Sequence, residues 1–69
     1  MTGDELRAAA IELYGDRGFQ SSLASALKVD VSSVRRWMNS PAWEVPGPVD
    51  AAVSWLLAWH RLNKVREGA

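Results

Sequence analysis

Apolar residues recur three and four positions apart along this chain, and no stretch alternates long enough to suggest a strand. Leu6, Ala9, Ala10, Leu13 and Tyr14 form one such series. Thr2-Gly3-Asp4-Glu5 ahead of it has the spacing of a capping box, with Thr2 as N-cap and Glu5 reaching back. A first helix is therefore expected over Gly3–Tyr14, stopped by Gly15 and Gly18 around Asp16-Arg17. A short second helix follows over Gln20–Leu27, with Leu23, Ala24 and Leu27 on one face. Lys28-Val29-Asp30 breaks it. Asp30 suits the N-cap of a third helix over Val31–Asn39, its carboxylate accepting amides of the first turn. On that helix Val34, Trp37 and Met38 share one face, with Trp37 assigned to the core. Ser32, Arg36 and Asn39 share the opposite face, and Arg35 lies on the flank.

Asn39-Ser40-Pro41 ends the third helix, because a residue preceding proline is pushed out of the α region. A loop through Trp43 leads to Pro48, placed as the first residue of a fourth helix over 48–64. The tail Glu67-Gly68-Ala69 is expected to fray. Two apolar stripes run along the fourth helix. Val49, Val53, Leu56 and His60 are expected to face the core. Ala52, Trp55, Trp59 and Leu62 make a second stripe, which a chain this small has little need to bury within itself. An exposed stripe with two tryptophans marks a protein interface, and a two-fold homodimer is the expected partner arrangement.

Composition narrows the function. Sixty-nine residues make one domain, and one of this size buries only about 60% of the surface its unfolded chain exposes. No cysteine is present, which removes disulfides, thiolate metal sites and cysteine nucleophiles. His60 is the one histidine, so no metal is expected. Catalytic triads, glycine-rich phosphate loops and paired carboxylates are missing, and no enzyme, cofactor or small-molecule ligand is read. No apolar run is long enough to span a bilayer and the start lacks the pattern of a signal peptide. A cytoplasmic protein without membrane association is the expectation. The formal net charge is zero, yet the charge is uneven. Residues 15–40 carry Arg17, Lys28, Arg35 and Arg36 against Asp16 and Asp30. A local basic face matters more for phosphate contact than the total.

Residues Gln20 to Trp37 carry the decisive pattern. Gln20, then Leu23-Ala24, then Leu27, Val29, Val34 and Trp37 stand where the helix-turn-helix of the Cro and phage-repressor (XRE-type) family has its marker residues. The stretch resembles that motif, and the likeness extends over about Leu6 to Leu57, including Val45-Pro46-Gly47-Pro48-Val49 ahead of an apolar helix. The spacing has a physical basis. Ala24 is small where two helices cross closely, and its aliphatic neighbours hold the crossing. One departure stands out: the family has a left-handed glycine in the turn, and this chain has Lys28.

The resemblance implies an all-α, compact, four- to five-helix domain of the lambda-repressor type, with a central helix-turn-helix at 20–39. It implies a small dimeric transcriptional repressor of phage or mobile-element origin, bound to a palindromic double-stranded DNA operator. The third helix would enter the major groove. Base contacts are then expected from Arg36, Ser32, Arg35, Ser33 and Val31, and phosphate contacts from Gln20, Ser21, Arg17, Lys28 and Asn39. Arg36 is the best base reader, since arginine pairs with guanine O6 and N7 in bidentate fashion. Gln20 caps the second helix, touches phosphate, or both. Val31 meets a thymine methyl or simply packs. The competing reading is a protein-interaction module of the antitoxin type, using the Trp55/Trp59 stripe with little DNA binding.

Overall fold

The computed structural model describes residues 1–39 and 45–68, with side chains through Lys64. Four helices appear in it: α1 Gly3–Tyr14, α2 Phe19–Leu27, α3 Val31–Met38 and α4 Gly47–Gly68. There is no strand among the described residues; Thr2 makes an isolated bridge. Trp43, Ser40 and Pro41, assigned above to the loop after α3, lie outside the described residues.

Helix α1 begins as its sequence predicts. The Glu5 amide donates to Thr2 Oγ1 at 3.2 Å, and the Thr2 amide donates to Glu5 Oε1 at 3.0 Å. This reciprocal pair satisfies two donors that would otherwise lack partners. The bonded backbone amide of Thr2 holds the Glu5 carboxyl below its ordinary range. Gly15, at φ 90°, closes the helix with its amide on the Ile11 carbonyl at 2.7 Å.

The core is small and drawn from every helix. Leu6, Ala9 and Ala10 come from α1, Leu23 and Ala24 from α2, Val34 and Met38 from α3, and Val53 from α4, with Val45 just ahead of it. Helix α1 is the hub, packing against α2, α3 and α4, while α4 rests chiefly on α1. At the start of α1, Gly3 is pressed on the end of α3. A Cβ there would strike the Trp37 carbonyl oxygen and lie 3.2 Å from that of Met38. The electropositive start of one helix thus meets the electronegative end of another, a favourable alignment.

Helix α4 differs from expectation in three ways. It starts at Gly47 rather than Pro48, and its backbone is helical through Gly68, beyond the expected end at residue 64, while Ala69 of the expected tail lies outside the described residues. Its core face is also rotated. Val49, Val53 and Leu57 pack on the core, and Leu56 and His60 are half-buried beside the end of α1 instead. The i, i+4, i+8 row winds slowly around a helix at about 100° per residue, so the face in contact shifts sideways along α4. A bidentate ion pair fastens this region: Arg61 Nε and Nη2 donate to the Glu12 carboxylate at 2.7 and 2.9 Å. Met1, at the other end, donates from its amine to Asp50 Oδ2 at 2.9 Å and accepts at its carbonyl from the Val45 amide.

Candidate nucleic-acid interface

Helices α2 and α3 are joined by three residues, Lys28, Val29 and Asp30. The turn is built from backbone bonds. The Val29 amide donates to the Ala24 carbonyl at 3.0 Å and the Lys28 amide to that of Ser25 at 3.2 Å. This pair is the Schellman arrangement, which needs a left-handed residue at the helix end. Lys28 supplies it, at φ 58° and ψ 44°, the one non-glycine with positive φ among the described residues. It holds the conformation that glycine would adopt more cheaply. Its side chain is exposed. Val29 turns inward against the core, and the Asp30 carbonyl accepts the Ser33 amide at 3.0 Å to start α3.

Below the turn, Leu23 and Ala24 are buried against Val34 and Met38 within one cluster. This packing decides which face of α3 is left outside. Ser32, Arg35, Arg36 and Asn39 are exposed. Arg36 is exposed and makes no hydrogen bond or ion pair with the described residues, and its guanidinium carries five donors in a planar fork. The Arg35 Nε donates to Gln20 Oε1 at 3.4 Å, tying the flank of α3 to the start of α2. Trp37 is half-buried against the core rather than enclosed by it.

Several expected contacts are repositioned. Ser33 and Val31 are half-buried, and Val31 packs on the core, which favours a packing role for it. Gln20 does not cap α2. Gly18 is the N-cap, left-handed at φ 70°, with no side-chain cap bond. The Gln20 amide group instead spans to α3, bonding Arg35 and meeting Met38 Sδ at 4.0 Å. A glycine has no side chain to offer the α2 amides, which leaves the start of α2 without a side-chain cap. Asp30 is the N-cap of α3 but makes no side-chain cap bond. Its backbone carbonyl does the work, and its exposed carboxylate is an anion at the entry of an otherwise basic face. Ser21, Arg17 and Lys28 are exposed, as a phosphate contact requires.

One residue escaped the sequence reading. Arg7 on α1 reaches Asn39 Oδ1 with Nη2 at 3.5 Å, and its guanidinium lies 5.9 Å from the Phe19 ring centroid. It therefore joins the basic surface at the far end of α3. No local signal on α1 marks it, since its partner is thirty-two residues away in sequence.

Elsewhere the described residues hold no group of histidines and carboxylates able to bind a metal. A shallow groove of about 580 Å³ runs between the end of α1 and α4, lined by Tyr14, Leu56, Trp59, His60, Asn63 and Lys64 among others. Among the described residues no helix is long and apolar enough to cross a membrane. No known protein family, curated protein or solved structure matches the chain.

Proposed function

We propose that α2, its three-residue turn and α3 form a helix-turn-helix that binds double-stranded DNA in a sequence-specific way, as a small transcriptional repressor. The observation that carries this reading is the division of α3 into two faces. Val34 and Met38 are sealed against Leu23 and Ala24, while Ser32, Arg35, Arg36 and Asn39 project together from the protein. A helix held on one side and polar on the other fits the major groove. Arg36 reads a guanine and Ser32 a neighbouring base edge. Arg35 and Ser33 flank them, the first braced by Gln20. Ser21 and the uncapped amides at the start of α2 lie where a phosphate is favoured by the helix dipole. Arg17, Lys28, Arg7 and Asn39 extend the backbone contact. Repression follows from occupying promoter DNA.

Selection on random duplexes, followed by titration at several salt concentrations, tests this. An enriched motif is expected, with affinity falling steeply as salt rises, because neutralised phosphates release counterions. Arg36→Ala should weaken the selected site by roughly 1–3 kcal/mol and relax one base position. A flat salt response with no enriched sequence would overturn the reading. The exposure of Trp55 and Trp59 is the observation favouring the second reading, a protein-binding module with little DNA affinity.

A further inference from the structure

The outer side of α4 is unlike the rest of the surface. Trp55 is 69% exposed, Trp59 52% and Leu62 53%, with half-buried Ala52 on the same stripe. These residues lie on the side of α4 turned away from Val49, Val53 and Leu57, which rest on the core. Residues 51–60 include no Asp, Glu, Lys or Arg. A stripe so exposed and uncharged is costly in water and needs a partner.

The pattern itself names the partner. Ala52, Trp55, Trp59 and Leu62 are spaced 3, 4 and 3, so their positions are symmetric about position 57, with the two tryptophans exchanged and Ala52 opposite Leu62. A two-fold contact joins one surface patch to itself in reverse, and therefore requires such self-complementarity. We infer that two copies of this chain pair through antiparallel α4 helices, setting Trp55 of each against Trp59 of the other and Ala52 against Leu62. The small residue faces the large one, and the aromatic pairs stack across the axis.

Area and charge agree. At about 200 Å² for a fully buried tryptophan, the two indoles offer on the order of 250 Å² per copy. Leu62 and the exposed Ala51 and Ala58 beside them bring the contact from both copies to somewhat under about 1,000 Å², the scale of a weak, reversible dimer. The net charge is zero, so no long-range repulsion opposes self-association. The inference goes beyond duplex binding and does not depend on it, and its test needs no DNA.

Sedimentation of the full chain at tens of micromolar should give a dimer. Trp55→Glu and Trp59→Lys should each weaken self-association at least tenfold while leaving the helical circular dichroism unchanged, since both side chains are exposed. An equimolar mixture of the two variants should regain the dimer. In the antiparallel pairing the carboxylate introduced at position 55 of one copy meets the ammonium introduced at position 59 of the other, and the remaining two tryptophans still face each other. A parallel pairing sets position 55 against position 55 and cannot be rescued this way. A monomeric wild-type chain, which would assign the stripe to a different protein, overturns the inference. So does a mixture that stays monomeric.

Discussion

Lys28 sits at φ 58°, a conformation in which any side chain beyond glycine crowds the following carbonyl. The strain is local, since the side chain is exposed and the turn's backbone bonds are both made. Lys28→Gly should therefore stabilise the fold, by about 1 kcal/mol once the extra freedom of glycine in the unfolded chain is subtracted. Thermal or denaturant unfolding reads this directly, and a loss of stability would mean that the lysine side chain holds the turn. If Lys28 contacts phosphate as proposed, the same variant binds duplex more weakly and with a shallower salt slope. One substitution thus separates strain retained for function from strain without use. The sequence showed that Lys28 stands at the turn; that the turn keeps its left-handed shape without glycine was visible only in the backbone. Arg36 and Ser32 were legible as an outward pair from helical periodicity alone. Arg7 was not, because proximity to Asn39 is a property of how α1 lies on α3.

The helices follow local rules at their ends and tertiary rules along their faces. The capping box of α1 and the proline-flanked start of α4 are short-range chemistry, and both appear where the sequence placed them to within one residue. Asp30 and Gln20 show the limit of that chemistry. Both are residue types that can cap, yet neither side chain caps, since the Asp30 carbonyl starts α3 and Gln20 is drawn across to Arg35. Gly3 shows it from the other side. In sequence it is one member of a capping box; in the structure it is the point where α1 meets the Trp37 and Met38 carbonyls. Gly3→Ala would ordinarily favour a helix by roughly 0.5–1 kcal/mol. Here the added methyl has backbone in its way, so α1 and α3 must separate. A net destabilisation on the order of 2 kcal/mol is expected, the scale of an overpacked core. Chemical denaturation checks the sign, and a more stable Gly3→Ala protein would refute the close approach. Because α3 ends at this contact, the variant should also lose duplex affinity beyond its loss of stability.

At the scale of the whole molecule, α4 is the least enclosed element. It rests on α1 through Val49, Val53 and Leu57, and the Glu12–Arg61 pair guides the seating. That pair is exposed, and solvent screening leaves surface pairs a small share of stability. The pair also bears on ionisation. Arg61 holds the Glu12 carboxyl below its ordinary value of 4.5, the capping bonds of Thr2 do the same for Glu5, and the bonded terminal amine does so for Asp50. Carboxyls whose folded pKa is depressed add stability that is fully present above their unfolded values and is lost as the pH falls through the folded ones. The melting temperature should thus hold steady from neutrality to about pH 5 and decline below about pH 4.5. Glu12→Gln should flatten part of that decline. An acid limb identical in the variant and the parent would show that the ion pair does not form in solution. On the proposed pairing through α4, two copies present two α3 helices, and the duplex suited to them is a palindrome.

Residue spacing alone settled the four helices, the caps at the start of α1, the polar outer face of α3 and the surplus apolar stripe of α4. These depend on groups within one or two turns of each other, which the chain cannot rearrange. Packing between helices set the rest: which row of α4 meets the core, where Gly3 and Arg7 touch α3, and that Gln20 braces Arg35 instead of capping its own helix. Such contacts join positions far apart along the chain. Their geometry follows from how volumes fit between helices, a quantity that no local pattern carries.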